Sequence, residues 1–183
     1  MRVIAGKARS IPLKTVEGLD TRPTTDRIKE TLFNMLQNEL ADCLFVDLFS
    51  GSGGIGIEAL SRGARKAIFV EKAPKAVACI NENLIKTKFE SMAVVMAADA
   101  VSAIYRLEGG EPADFIFMDP PYNQQLEQQV LEALKNSSLV DEYTTIIIEA
   151  DLHTDFSYVE DLGYEITKQK KYKTNQHVFL ELA

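Results

Sequence analysis

Apolar segments recur along the chain, and each is followed by a segment whose apolar positions have helical spacing. The strand-like segments lie at residues 44–50, 67–72, 93–99, 113–119 and 144–150. The helical patterns lie at roughly 54–63, 74–88, 99–107 and 124–137, with a short one at 155–162. This alternation predicts parallel strands joined by helical crossovers. The apolar runs are nearly continuous, as expected of strands that helices cover on both faces.

The C-terminal part of the chain has a different pattern. Residues 164–172 and 177–182 are both strand-like and are joined by residues 173–176, which predicts an antiparallel hairpin that closes the sheet with its last strand reversed. The sequence therefore predicts an α/β fold with a seven-stranded, mostly parallel sheet, a C-terminal antiparallel hairpin and helices on both faces.

One more helix is predicted before the first strand. Residues 25–40 carry an apolar stripe that includes Ile28, Leu32 and Leu36, and Pro23-Thr24-Thr25 supplies the start signal. Residues 1–24 are basic and rich in turn-forming residues. We expect them to form a small, β-rich N-terminal appendage of a single domain that spans residues 1–183.

Composition places the chain among ordinary globular proteins, with 183 residues, 46% of them hydrophobic and 26% charged. No apolar run reaches the roughly 20 residues of a membrane helix, and the N-terminus lacks the apolar core of a signal peptide. Cys43 and Cys79 do not form a Cys-x-x-Cys pair, which favours reduced thiols. We therefore expect a cytoplasmic protein without a membrane partner.

Charge is distributed unevenly along the chain. The net charge is −7, but residues 1–29 hold seven bases and three acids, and residues 166–177 hold four lysines and no acid. Lysines on an exposed edge strand can act simply against aggregation. Alternatively, the two basic segments form a docking surface for a polyanion on an otherwise acidic body.

The first strand runs into a glycine-rich turn, Gly51-Ser52-Gly53-Gly54-Ile55-Gly56, and then into a helix. Glycines let the backbone turn sharply and approach a ligand at the helix N-terminus. The spacing matches the dinucleotide-binding pattern, and Glu71 follows Gly51 by 20 residues, where an acid would bind ribose hydroxyls. This turn alone leaves two possible cofactors, a dinucleotide or S-adenosylmethionine.

Acidic residues at the ends of four predicted strands favour S-adenosylmethionine; they are Asp47, Glu71, Asp99 and Asp119. Asp47 lies where a carboxylate can bind the amino group of the methionyl part, and Asp99 lies where it can accept from an adenine amine. Any one of these acids could instead be a helix N-cap. As a group they would repel a pyrophosphate, whereas they suit a cationic ligand.

The fourth strand ends in Asp119-Pro120-Pro121-Tyr122. The two prolines fix the backbone and lack N–H groups, so this segment presents the Asp119 carboxylate and the Pro120 carbonyl as acceptors. These acceptors can hold the exocyclic amine of a nucleic-acid base and align its nitrogen for attack on a methyl group. Tyr122 offers a stacking face for the base, worth about 1–3 kcal/mol.

These motifs resemble a known family. Asp47-Leu48-Phe49-Ser50-Gly51-Ser52-Gly53 and the Asp-Pro-Pro-Tyr segment resemble the S-adenosylmethionine-dependent amino methyltransferases. Residues 2–7 (Arg-Val-Ile-Ala-Gly-Lys) and 21–34, which begin Thr-Arg-Pro-Thr-Thr-Asp-Arg, are similar to the bacterial RsmD-type 16S rRNA guanine-N2 methyltransferases. The similarity covers nearly the whole chain. The resemblance implies a Rossmann-like class I methyltransferase fold and methylation of a guanine N2 amine in 16S rRNA.

The resemblance also implies a set of site residues. The cofactor S-adenosylmethionine would be held by Asp47, Phe49, Ser50, Gly51, Ser52, Gly53, Gly56, Glu71, Lys72, Asp99 and Ala100. The guanine amine would be held by Asp119, Pro120, Pro121 and Tyr122. The rRNA would be contacted by Arg2, Lys7, Arg9, Arg22 and Arg27. No metal is required, and the implied partner is 16S rRNA in an assembled or partly assembled small ribosomal subunit.

Other interpretations remain open from the sequence. The Asp-Pro-Pro-Tyr segment also occurs in DNA adenine and cytosine amino methyltransferases, so another base, such as adenine in DNA or RNA, is an alternative substrate. A nicotinamide-dependent dehydrogenase would use the same glycine turn, and an RNA-binding module could keep the fold without catalysis. Arg22 and Arg27 could pair with acids of the cleft. We expect His153 and His177 to be surface residues.

Overall fold

The computed structural model describes residues 1–16, 25–121 and 125–183. Seven strands are present in this part of the chain: β1 Leu44–Asp47, β2 Lys66–Glu71, β3 Ala93–Ala97, β4 Phe115–Met118, β5 Thr145–Asp151, β6 Tyr164–Lys171 and β7 Asn175–Leu182. The helices are α1 Asp26–Leu36, α2 Gly54–Ser61, α3 Pro74–Thr87, α4 Ala100–Arg106 and α5 Leu126–Leu134, with a 3-10 turn at Glu90–Met92.

All seven strands form one sheet in the order β3-β2-β1-β4-β5-β7-β6. Strands β1 to β5 are parallel, and β7 runs antiparallel to both β5 and β6. This arrangement confirms the predicted mostly parallel sheet with a reversed last strand. The strand order turns around at β1, which lies between β2 and β4, and in open α/β sheets ligands bind at such a position.

Each face of the sheet carries its own apolar core, because side chains alternate between the faces along a strand. In β4, Ile116 and Met118 pack on the face covered by α4 and α5, whereas Phe115 and Phe117 pack on the face covered by α1, α2 and α3. We call these the α4–α5 face and the α1–α3 face. The double covering explains why the strands consist of apolar residues with little alternation.

The N-terminal residues pack onto the α1–α3 face, where Val3, Ala8 and Leu13 are buried with the core residues of α1 and α2. The only β-structure that the structure describes in residues 1–16 is a single antiparallel bridge between Arg2 and Pro12. Helix α1 begins after Thr25, whose side chain caps the backbone amide of Ile28. Residues 17–24 lie outside the described part of the chain.

Two predictions about the C-terminal part are wrong. The short helix predicted at residues 155–162 is not formed, and residues 157–163 are consecutive turns instead. The Asp155 carboxylate accepts from the Ser157 amide at 2.9 Å, a local bond that competes with helix formation. His177 is completely buried in β7 rather than at the surface, as described below. Within the described residues, no helix is both long and apolar enough to cross a membrane.

Candidate active site

A cavity of about 570 Å³ lies at the carboxyl ends of β1, β2 and β4, where the strand order turns around. Its size suits a small organic cofactor. Nine of the eleven predicted cofactor residues line it: Asp47, Phe49, Ser50, Gly51, Ser52, Glu71, Lys72, Asp99 and Ala100. Asp119 and Pro121 line the same cavity. Tyr122 lies outside the described residues.

The glycine turn is shaped by its backbone hydrogen bonds. The Ser50 amide donates to the Val70 carbonyl at 3.0 Å, and the Gly53 amide donates to the Ser50 carbonyl at 2.7 Å. Gly51 and Gly53 have φ values of 53° and 85°, a conformation that costs other residues about 1–2 kcal/mol. Gly53 precedes α2, so the turn brings the N-terminus of that helix to the cavity.

Gly53 and Gly56 are absent from the cavity lining, although the sequence analysis places them in the cofactor site. A Cβ on Gly56 would lie 2.4 Å from the Phe69 ring. The lack of a side chain at Gly56 therefore allows α2 to pack closely on β2. The structure gives these two glycines a role in shaping the turn and the helix contact behind the cavity.

Asp47 is the most deeply buried acid of the cavity, with 1% of its surface exposed. Its Oδ1 accepts a long bond, 3.4 Å, from the Phe49 amide. Burial raises the pKa of Asp47 to about 7, with a further contribution from the charge of Glu71. A cationic group bound beside Asp47 would favour its ionised form.

Glu71, at the end of β2, fixes the turn from the other side. Its Oε2 accepts from the Gly51 amide at 2.9 Å and its Oε1 accepts from the Ala73 amide at 2.8 Å. The Gly51 amide is therefore occupied by a carboxylate of the protein itself. The carboxylates of Asp47 and Glu71 beside the turn disfavour the negative charges of a dinucleotide pyrophosphate. Each carboxylate oxygen keeps a second lone pair for a hydroxyl group.

Asp99 serves as the N-cap of α4. Its Oδ1 accepts from the Ser102 amide at 2.9 Å, and its Oδ2 accepts from the Ser102 hydroxyl at 2.7 Å. These two bonds hold the pKa of Asp99 below its ordinary value. The cap and the predicted contact with adenine are compatible, because Asp99 is exposed at the cavity wall and its oxygens retain acceptor capacity.

Asp119 directly follows β4 and faces the α1–α3 side of the sheet, like Phe117 two residues earlier. The pKa of its carboxyl is raised well above the ordinary value, mainly by burial and then by the charges of Glu149, Asp47 and Glu127. A carboxylate with such proton affinity is a suitable acceptor for a proton from an amine. Pro120 is buried, and Pro121 reaches the cavity.

The N-terminal part of the chain contributes cavity residues that the sequence analysis missed. They are Met1, Thr15 and Val16 in the segment before α1, and Lys29 in α1. The segment is anchored by Glu58 of α2, which accepts from the Ile4 and Ala5 amides at 2.8 and 3.1 Å. Lys29 is fully buried and donates to the Arg2 carbonyl at 2.6 Å. Lys29 is aligned with the apolar stripe of α1, and this position is the sequence signal that predicts its burial.

The predicted RNA-binding side chains do not form one cluster. Arg2 is exposed near the cavity and pairs with Asp26 at 3.2 Å, while Arg27 is exposed on α1. Lys7 and Arg9 are exposed beside Ser61, at the opposite end of α2 from the glycine turn, about 12 Å away along the helix. Arg22 lies outside the described residues.

The C-terminal lysines lie on the edge strand β6. Lys168 is paired with Phe179 and Lys170 with His177, so both point to the α1–α3 face, which also carries Asp119. Lys171 is paired with Gln176 and points to the opposite face. Lys170 therefore lies three strand positions from Asp119, or roughly 14 Å.

Comparisons with known proteins agree with this geometry. Residues 1–181 match the family described as conserved hypothetical protein 95. YlbH of Bacillus subtilis strain 168, named as a candidate rRNA methyltransferase, is 40% identical over 152 residues, covering 82% of this chain and 83% of that protein. Ribosomal RNA small subunit methyltransferase D of Haemophilus influenzae is 34% identical over 154 residues, covering 82% of this chain and 79% of that protein.

The fold agrees as well. The solved structure of yhhF, a candidate methyltransferase from Escherichia coli, matches with a TM-score of 0.84 and 29% identity, covering 100% of this chain and 97% of that chain. These findings confirm the predicted Rossmann-like class I methyltransferase fold and the resemblance seen in the sequence. The chain therefore belongs to the conserved hypothetical protein 95 family, the RsmD family, and is a methyltransferase.

Proposed function

We propose that the protein transfers a methyl group from S-adenosylmethionine to the exocyclic N2 amine of a guanine in 16S rRNA, in an assembled or partly assembled small ribosomal subunit. The observation that carries the proposal is the position of Asp119, which faces the cavity that Asp47, Glu71 and Asp99 line. The names of the related rRNA methyltransferases support the substrate class. Such a reaction takes place in the cytoplasm.

The cavity fits S-adenosylmethionine by the chemistry of its donors and acceptors. Asp47 would bind the amino group of the methionyl part, Glu71 the ribose hydroxyls and Asp99 the adenine amine. Ala100 and Val101 supply apolar wall at the start of α4. When bound, the cofactor supplies an electrophilic methyl group. The surrounding carboxylates suit its positive charge.

The amine of the guanine would be held by two acceptors, the Asp119 carboxylate and the Pro120 carbonyl. Two N–H bonds directed to these acceptors fix the orientation of the nitrogen and draw its lone pair out of conjugation with the ring. Asp119 then takes a proton from the amine, and its raised pKa suits that role. Tyr122 remains the proposed stacking partner of the base.

Two basic surfaces would contact the rRNA on either side of the cavity. One is formed by Arg2 and Arg27 near α1, with Lys7 and Arg9 farther from the cavity along α2. The other is formed by Lys168 and Lys170 on the same face of the sheet as Asp119, and Lys170 is about 14 Å from Asp119. Phosphates on both sides of an extruded guanine could reach these groups, which would offset the repulsion by the acidic body.

The proposal is tested with radiolabelled S-adenosylmethionine and unmodified 16S rRNA, either naked or reconstituted into small subunits. We expect one methyl group, on guanine N2, identified by mass spectrometry of the digested rRNA, with the reconstituted subunit as the better substrate. Asp119→Ala should abolish transfer while retaining affinity for S-adenosylhomocysteine. Asp161→Ala, a substitution of an exposed acid in the turn before β6, is the control. Methylation of adenine, or no transfer to either substrate, would contradict the proposal.

A further inference from the structure

A buried polar network joins β5 to β7 beside the candidate active site. Asn175 donates to Glu149 Oε1 at 2.6 Å, and His177 Nε2 lies 3.2 Å from Glu149 Oε2. The other ring nitrogen of His177, Nδ1, lies 3.1 Å from the Tyr172 hydroxyl. Glu149 is 4% exposed and His177 is 0% exposed, so this carboxylate and this imidazole are removed from solvent.

The strand register places the network next to Asp119. Met118 is paired with Ile148, so the following residues, Asp119 and Glu149, are adjacent across the two strands. Glu149 is paired in turn with His177 on β7. The His177 ring lies edge-on to Phe117, with 6.1 Å between centroids, which places it on the α1–α3 face together with Asp119.

A buried carboxylate is costly to keep ionised unless it is well bonded. The partners of Glu149 include the Asn175 amide and the His177 imidazole, and Nδ1 of that imidazole lies against the Tyr172 hydroxyl. These contacts offset the cost of burying the Glu149 carboxylate. Its negative charge then lies beside a second carboxylate, that of Asp119.

We propose that Glu149, held by His177 and Asn175, is a positioning residue that makes Asp119 the proton acceptor of methyl transfer. This inference rests on the proposed function. The amine nitrogen bonds to the methyl group, the sulfur that carried the methyl keeps the bonding electron pair, and one N–H proton passes to Asp119 and then to water. Glu149 touches no reacting atom and acts through the proton affinity of Asp119.

The charged groups around Asp119 determine the direction in which its pKa should change when Glu149 is neutralised. Asp119 faces three acids, Glu149 of β5, Asp47 at the end of β1 and Glu127 of α5. On the far side of His177, Tyr172 contacts the ring and Lys170 is its partner on β6. Because Asp47 and Glu127 remain when Glu149 is neutralised, the pKa of Asp119 should fall yet stay above that of an exposed aspartate.

The test is a ¹³C NMR titration of the Asp119 carboxyl in the full chain without RNA or cofactor. Glu149→Gln should lower the pKa of Asp119 by about one unit or more. Glu181→Gln is the matched control, since Glu181 lies near the far end of β7. In methylation assays, Glu149→Gln should lower kcat and move the acidic limb of the pH profile to lower pH, without changing KM for the cofactor.

Substitutions of His177 provide an independent test if Glu149→Gln does not fold. His177→Phe removes a partner of the Glu149 carboxylate, so that carboxylate is no longer held beside Asp119 and the pKa of Asp119 should fall. His177→Gln keeps an amide donor and should restore the wild-type titration. An Asp119 titration that is unchanged in Glu149→Gln or in His177→Phe overturns the inference. A shifted titration without any rRNA methylation would instead refute only the proposed function.

Discussion

The Glu71 carboxylate accepts the backbone amide of Gly51 at 2.9 Å, which ties the end of β2 to the glycine turn after β1. The bond joins two features that lie 20 residues apart in the sequence and that both cofactor hypotheses use. The Gly51 amide thus has a carboxylate of the protein as its acceptor. That carboxylate suits a ligand that brings hydroxyl and ammonium groups rather than a negatively charged pyrophosphate.

This bond predicts the cofactor preference in a binding experiment. By calorimetric titration, S-adenosylhomocysteine should bind and NAD should not. Glu71→Gln should weaken S-adenosylhomocysteine binding at least tenfold, or about 1.4 kcal/mol, because the amide NH₂ of glutamine would face a backbone N–H. Glu39→Gln, at an exposed position after the C-terminal end of α1, should have no effect. Tight binding of NAD in the wild-type protein would contradict the assignment.

The elevated pKa of Asp47 predicts a pH dependence of cofactor binding. The pKa is about 7 in the ligand-free protein, so Asp47 binds a proton as the pH falls below 7, and a protonated carboxyl binds an ammonium group poorly. Affinity for S-adenosylhomocysteine should fall by up to about tenfold per pH unit below 7 and level off above it. Asp47→Asn should bind weakly at every pH.

The raised pKa of Asp47 also affects the stability of the folded protein. Rising pH favours cofactor binding but lowers the free energy of unfolding of the ligand-free protein. The folded protein holds the Asp47 proton more tightly than the unfolded chain, whose aspartate titrates near its ordinary value of 3.8. The ligand-free protein therefore loses stability as the pH rises from about 4 to 7. Asp47→Asn should raise its melting temperature at pH 8 but not at pH 4. An equal change at both pH values would show that Asp47 is not a buried titrating group.

The sequence predicted those parts of the molecule that depend on local pattern. The strands alternate with helices as expected, and Asp47, Glu71 and Asp119 end their strands because the carboxyl ends of parallel strands meet at one edge of the sheet. Motif spacing therefore identified most of the cavity lining. The turns at residues 157–163 also have a local signal, because Asp155 and Gly163 both favour turns.

The features that the sequence did not predict depend on contacts between distant segments. The burial of His177 follows from its pairing with Glu149, 28 residues earlier, and from the cover that β6 and Phe117 provide. Met1 reaches the cavity because the N-terminal segment is held by Glu58 of α2 and by Lys29 of α1. Neither contact leaves a periodic signal in the local sequence.

Close packing between α2 and β2 predicts that a substitution of Gly56 lowers the stability of the protein strongly. A methyl group there would lie 2.4 Å from the Phe69 ring, which is fully buried. Gly56→Ala should destabilise the protein by about 1–3 kcal/mol, measured by urea denaturation. Phe69→Leu in the Gly56→Ala background should recover part of that loss. If the free-energy changes of the two substitutions simply add, contact with Phe69 is not the cause of the destabilisation at Gly56.

Docking of the N-terminal segment should support cofactor binding. Gly6 has a φ of 81°, and a Cβ there would lie 1.8 Å from the Ser61 carbonyl oxygen, so Gly6→Ala should detach this segment. Because Met1, Thr15 and Val16 line the cavity, affinity for S-adenosylhomocysteine should fall several-fold. Gly109→Ala is the matched control, since Gly109 has a φ of 79° and open space around its Cα. Equal effects of both substitutions would indicate backbone strain alone.

The two faces of β6 provide an internal comparison for RNA binding. Lys170 shares the face of Asp119, whereas Lys171, one residue later, points to the α4–α5 face. Lys170→Ala should weaken binding of the rRNA substrate and lower the slope of log affinity against log salt by about 0.7–0.9, the effect of one lost phosphate contact. Lys171→Ala should leave the slope unchanged. The triple variant of Arg2, Lys7 and Arg9 should lower it further if those bases also bind phosphates. Equal slopes for Lys170→Ala and Lys171→Ala would mean that the hairpin lysines only protect an exposed sheet edge.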